Sequence, residues 1–188
     1  STTIFSCGLS FGWTATIVPH LQKENNTLGM EPLTLDQASW LNAALSFVPL
    51  FIVFVGGGFC EILGRKNTGL LIAVPLTLCW LLRLFATNFY HILASQIFYG
   101  IVDAIGFLLA PLYITEITMV SVRGLMANFV SFAFKIGLLA GYVLGTVLSY
   151  KAFTIVGLII PIFYFVMVLL LPESPVWLAR RQRVDDAR

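Results

Sequence analysis

The run Val156–Leu171 reads Val-Gly-Leu-Ile-Ile-Pro-Ile-Phe-Tyr-Phe-Val-Met-Val-Leu-Leu-Leu. It carries no charge and does not alternate polar with apolar positions. Phe47–Val55 has the same character: Phe-Val-Pro-Leu-Phe-Ile-Val-Phe-Val. Inside lipid every backbone N–H and C=O must find its partner within the protein, so only helices and closed barrels cross a bilayer. Barrel strands alternate over about 10 residues. These runs do not, and they read as membrane-spanning helices.

Working outward, we find six apolar stretches near the length of about 20 residues that a crossing helix needs. They are Ser1–Val18, Gln37–Cys60, Thr68–Asn88, His91–Tyr113, Gly124–Leu148 and Ala152–Leu171. The composition agrees. Hydrophobic residues make up 59% and charged residues 11% of the 188, and mean hydropathy is +0.92. Soluble domains carry roughly 25% charged residues. A soluble enzyme, a nucleic-acid binder and a disordered chain are therefore excluded, and a net charge of +2 makes no case for an anionic partner. The partner is the lipid bilayer. Cys7, Cys60 and Cys79 have no metal-ligand spacing and sit in or beside apolar runs, as buried small hydrophobes do. No metal or cofactor is called for. The chain opens on Ser1 without a signal-peptide pattern, which points to a span entered part-way and to an incomplete chain.

Lys and Arg in short loops set orientation. Arg65, Lys66, Arg123, Arg180, Arg181, Arg183 and Arg188 fall on one side if the spans alternate. That side is expected to be cytoplasmic, with both chain ends facing it. Pro19–Asp36 is then an outer loop, and Asn25 in Asn25-Asn26-Thr27 is a glycosylation candidate.

Charges within spans are costly and ask for a partner or a cavity. Asp103 and Lys135 lie near mid-depth on successive antiparallel spans, and we expect them to pair. Arg83 lies near a span end, from which it is expected to snorkel outward. Gly137, Gly141 and Gly145 form a small-residue stripe for close helix contact. Lys135 points nearly away from that stripe, on a face shared with Ser131, Leu138 and Tyr142. The first span offers Thr14 and Thr16 beside Trp13. Thr14, Thr16, Ser131 and Lys135 are accordingly the expected cavity residues.

Three segments on the cytoplasmic side carry denser motifs. The first is Gly57-x-x-x-Glu61-x-x-Gly64-Arg65-Lys66. The second is Pro111-x-Tyr113-x-x-Glu116, continuing to Arg123-Gly124. The third is Pro172-Glu173-Ser174-Pro175-x-Trp177-Leu178. Topology explains the arginines but not the acids Glu61, Glu116 and Glu173. Arginine and carboxylate form bidentate pairs. Such pairs, made in one conformation and broken in another, can latch a gate.

With these motifs in this order, and with Gly12-Trp13-Thr14 and Gln37-Ala38-Ser39-Trp40, the chain resembles the N-terminal half of a sugar porter of the major facilitator superfamily. It is most similar to the insect facilitated trehalose transporter-like group. The resemblance implies an all-α membrane fold of twelve helices in two halves. Each half is a 3+3 inverted repeat, and sugar binds between the halves. Residues 1–178 would be the N-terminal six-helix bundle and 179–188 the start of a cytoplasmic linker, with the C-terminal half absent. The implied gate set is Glu61, Gly64, Arg65, Lys66, Glu116, Arg123 and Glu173. Three departures stand out, one of them Ser131 in the fifth span, where hexose carriers commonly have Gln. Ser95-Gln96 replaces the Gly-Arg usual at the start of the fourth span. Thr14 stands where proton-coupled members carry Asp, which removes a proton carrier and favours downhill transport. Asp103 is the one acid left within a span.

The implied function is facilitative transport of trehalose or a hexose across the plasma membrane by alternating access. The rival reading is a transport-inactive sugar sensor or a truncated relative. An enzyme would need a nucleophile–base pair. His20 and His91 both sit at outer span ends, and no carboxylate dyad is present.

Overall fold

A computed structural model describes residues 2–23 and 28–170. It places them in six helices: α1 Thr2–Leu21, α2 Leu35–Leu63, α3 Arg65–Leu84, α4 Phe89–Ile117, α5 Val120–Val147 and α6 Tyr150–Leu170. There is no strand among the described residues. The expected glycosylation site Asn25 and the expected gate residue Glu173 lie outside them.

Helices α2 and α4 overrun the expected spans at both ends, whereas α3 stops at Leu84, short of the expected Asn88. At 1.5 Å per residue, the 29 residues of α2 extend about 44 Å, against a hydrocarbon core of about 30 Å. The excess turns carry the charges. Glu61 lies in the last turn of α2, Glu116 in the last turn of α4, and Arg65 opens α3. A single residue, Gly64, is both the end of α2 and the start of α3. Its φ of 89° lies in the region that only glycine enters without strain, which is why the sharp reversal is built there. At the far end, Thr34 and Gln37 form a reciprocal capping box at the start of α2, with bonds of 3.1 and 3.2 Å. It satisfies the first N–H groups of that helix.

Five of the six helices, α2 to α6, are long and apolar enough to cross a membrane. The exception, α1, explains itself by position. Twelve of its twenty residues are buried, among them Ser6, Ser10 and Thr14, because it packs on α4, α5 and α6. A helix wrapped in protein does not need lipid-matched side chains.

Three principal packing pairs are α1 with α5, α2 with α4, and α3 with α6, and α3 packs more extensively still on α4. Exchanging α1, α2, α3 for α4, α5, α6 maps the first pair onto the second and the third onto itself. That is the pairing of an inverted 3+3 repeat. The α1–α5 contact is backbone on backbone. Gly12 of α1 meets Gly141 of α5, Gly8 lies on the main chain of Phe134 and Leu138, Gly137 lies on the main chain of Phe5 and Leu9, and Gly145 takes the Thr16 side chain. A Cβ on Gly141 would lie 2.6 Å from the Leu9 carbonyl oxygen and 2.8 Å from the Gly12 Cα. The glycine stripe thus packs as the small-residue spacing predicts. Elsewhere Trp80 of α3 lies over Gly157 of α6, and Tyr164 of α6 donates to the Gly69 carbonyl at 2.8 Å.

Gly141→Leu is expected to cost about 3 kcal/mol, the upper end of the usual overpacking range, because main chain cannot yield to an overpacked side chain as a rotamer can. Folded protein at the membrane should fall sharply. Gly58→Ala, with no atom within 4 Å of the added Cβ, should leave it unchanged. Membrane abundance and size-exclusion profiles of the two variants check this.

Candidate functional site

The end of the bundle where α2 meets α3 holds a buried ion pair. Arg65 Nε donates to Glu116 Oε2 at 2.9 Å and Nη2 donates to Oε1 at 2.6 Å. The two side chains are 3% and 10% exposed. A third donor, Nη1, reaches the Cys60 carbonyl at 3.0 Å. This is the fork-on-fork geometry that lysine cannot reproduce. It bolts the start of α3 to the end of α4 and satisfies an orphan carbonyl of α2. A crevice of about 270 Å³ opens beside it, bordered by Gly57, Glu61, Arg65, Leu108, Leu112 and Glu116.

The neighbouring cations finish helices. Lys66 Nζ donates to the Leu169 carbonyl in the last turn of α6 at 3.0 Å. Arg123 Nη2 donates to the Thr115 carbonyl in the last turn of α4 at 2.8 Å. Both place positive charge at the negative end of a helix dipole. Of the expected gate set, then, Arg65 and Glu116 pair directly and Glu61 borders the same crevice. Arg123 contacts main chain.

The four expected cavity residues do not come together. Thr14 is buried. Its hydroxyl donates to the Ser10 carbonyl at 3.0 Å and accepts from Gln96 Nε2 at 3.0 Å. Thr16 bonds the Gly12 carbonyl at 2.8 Å and presses on Gly145, so it belongs to the α1–α5 seam. Ser131 and Lys135 lie on an exposed face of α5 with Tyr142. Thr14 instead borders a crevice of about 330 Å³ between α1 and α2, with Gln22, Ser39 and Asn42.

The expected Asp103–Lys135 pair is not made. The glycine face of α5 turns toward α1, which carries Lys135 outward. Asp103 sits beside Cys7 of α1 and Tyr99 of its own helix. Its Oδ1 is buried without a hydrogen-bond partner among the described residues.

Arg83 corrects the sequence reading most. It does not snorkel. It is 0% exposed, lying over Trp13 at 4.1 Å and Trp80 at 4.9 Å. Nη1 donates to Ser10 Oγ at 3.0 Å and Nη2 to Gln96 Oε1 at 3.2 Å. With Gln96 on Thr14 and Thr14 on the Ser10 carbonyl, the bonds close a ring through α1, α3 and α4. Tyr150 of α6 donates to the Arg83 carbonyl at 2.6 Å. Tyr150, Tyr164 and Tyr99, whose hydroxyl donates to the Cys7 carbonyl at 2.5 Å, were invisible as tertiary donors in the sequence. The one clue to the ring was Gln96 standing in the place of an expected Arg.

The sequence profile of the sugar (and other) transporter family matches residues 2–188. The chain belongs to that family. It is 34% identical over 165 residues to the facilitated trehalose transporter Tret1 of Polypedilum vanderplanki, covering 88% of this chain and 33% of that protein. It is 31% identical over 181 residues to Tret1 of Bombyx mori, covering 96% and 35%. This sugar transporter family member thus spans about a third of the length of these curated relatives. Its fold matches the proton:xylose symporter XylE bound to 6-bromo-6-deoxy-D-glucose, with a TM-score of 0.78 at 19% identity, over 98% of this chain and 46% of that one. A partially occluded, inward-open XylE from E. coli matches with a TM-score of 0.77, over 98% and 52%. The chain is a multi-pass membrane protein with the helical fold of about half of a major facilitator superfamily transporter.

A double-mutant cycle on Arg65→Met and Glu116→Gln should give a coupling of about 1.5–3 kcal/mol, the range for charge-assisted bonds. An exposed pair gives about 0.2–1 kcal/mol. Thermal unfolding of the detergent-solubilised protein reads the difference.

Proposed function

We propose that this chain forms the N-terminal six-helix half of a facilitative sugar transporter of the plasma membrane. The cargo is trehalose or a hexose, and both chain ends face the cytoplasm. The observation that carries the reading is the buried Arg65–Glu116 fork between α3 and α4, in a chain whose relatives include facilitated trehalose transporters. The pair sits at the end that the lysine and arginine bias assigns to the cytoplasm. A latch there, made in one state and broken in the other, shifts the population between inward- and outward-facing forms.

One feature supports downhill rather than driven transport of this kind. Thr14 has no titratable proton, and its hydroxyl is engaged by Gln96. Ser131 and Lys135, on the exposed face of α5, are the residues that a second six-helix half would enclose. We assign them to the sugar cavity at that interface.

The test is uptake of radiolabelled trehalose and glucose by proteoliposomes holding the full-length protein that carries these residues. Saturable uptake that stops at equilibrium is expected. Arg65→Ala and Glu116→Ala should each lower turnover by about tenfold or more while sugar binding changes little, as loss of a state-specific contact requires. Binding without flux in the wild type would favour the sensor reading. Normal turnover in both variants at normal abundance would remove the gate assignment.

A further inference from the structure

Arg83 presents an energetic problem. A guanidinium stays charged, and a buried charge is expensive unless paired. No carboxylate lies within ion-pair reach of Arg83 among the described residues. Its compensation is two neutral oxygens, the π faces of two indoles and, at 5.6 Å, the Tyr99 ring, and among the described residues its Nε–H is buried without an acceptor. If Arg83 served packing alone, an apolar side chain of similar length would serve as well or better. Within a membrane span, an ionisable residue kept on these terms marks function.

The ring shows what the charge acts on. Arg83 holds the Gln96 amide oxygen. That fixes which way the amide points, so Gln96 Nε2 must donate to Thr14. Thr14 in turn must donate to the Ser10 carbonyl. A hydroxyl has one donor and two acceptor lone pairs. One donor and one lone pair of Thr14 are thus used, and one lone pair is left. Thr14 borders the α1–α2 crevice, whose other polar lining is Gln22, Ser39 and Asn42. Amides and hydroxyls of this kind suit a polyhydroxyl ligand, and about 330 Å³ is within the range of small-molecule sites. Bonds in such a chain polarise one another, so a charge at its head strengthens the acceptor at its tail.

We propose that Arg83 is a positioning residue for sugar. Through Gln96 it locks the Thr14 hydroxyl with its free lone pair toward the α1–α2 crevice, where Thr14 accepts a bond from a sugar hydroxyl. The inference rests on the sugar-transport reading above. It differs from the cavity assigned to Ser131 and Lys135 in lying on the α1–α2 side of the bundle.

The experiment is concentration-dependent uptake of radiolabelled trehalose and glucose by the reconstituted full-length protein, with thermal melting measured in parallel. The variants are Arg83→Met, Thr14→Val, their double, and the exchange Arg83→Gln with Gln96→Arg. Arg83→Met should melt at or above the wild-type temperature. Its apparent KM should rise by about tenfold, the scale on which misplaced binding groups act, with a smaller change in kcat. Thr14→Val should raise KM similarly, and the double variant should be no worse than either single, since both break one path. The exchange, which returns a guanidinium to the ring from α4, should recover most of the KM. A wild-type KM for Arg83→Met overturns the inference. So do multiplying effects in the double variant, or a destabilised Arg83→Met whose KM the exchange does not restore. No uptake by the wild type would instead sink the transport reading, and this inference with it.

Discussion

Close approach of two main chains, α1 and α5, is the constraint on which the rest of this bundle depends. Gly8 and Gly12 on one helix and Gly137, Gly141 and Gly145 on the other leave no room for a Cβ at the contact. In lipid there is no hydrophobic drive between helices, and such contacts gain their strength from dispersion at short range. The approach draws α1 into the protein interior. Its hydroxyls then face other helices instead of lipid, and a stretch less apolar than its neighbours becomes a stable part of the bundle. The same seam consumes Thr16 and turns Lys135 to the exposed side of α5.

Around that seam the polar groups divide into two sets with different physics. At the Arg65 end the charges are paired or spent on helix termini: Arg65 on Glu116, Lys66 on α6, Arg123 on α4. Of the helices at this end, α2, α4 and α5, with 29, 29 and 28 residues, run past the hydrocarbon thickness of about 30 Å, so the charged turns at their ends leave it. Within the span the situation is reversed. Arg83 is caged by indoles and neutral oxygens, and Asp103 keeps a buried oxygen without a partner among the described residues. A network of neutral acceptors around a permanent cation fixes orientation strictly, because each amide and hydroxyl has only one arrangement that satisfies its neighbours.

Residues that read alike in the sequence therefore play different parts. Thr14 and Thr16 are two positions apart on one helix, yet one joins a ring through three helices and the other fills a notch against glycine. Arg65 and Arg83 both flank apolar runs. One has a carboxylate brought to it from 51 positions away, and the other has none among the described residues. The spacing of charges along single spans carried no information on this. Asp103 and Lys135 match in depth but not in azimuth, and azimuth is decided by which face of α5 is small enough to meet α1.

The sequence by itself determined that the chain crosses a membrane as helices and that Glu61, Arg65 and Glu116 gather at one end. Those conclusions follow from the cost of unsatisfied backbone in lipid, from span length, and from motifs dense enough to signal a family. The glycine stripe foretold close packing because it is a property of one helix face. Only the tertiary structure decided which helices meet, and with them the fate of Arg83, Thr14, Thr16 and Lys135. Hydrogen bonds such as Tyr150 to Arg83 and Gln96 to Thr14 join helices far apart in the chain. A polar side chain in a span announces that it needs a partner. Which partner it finds depends on the rotation of its helix about its own axis, and packing sets that rotation, not local sequence.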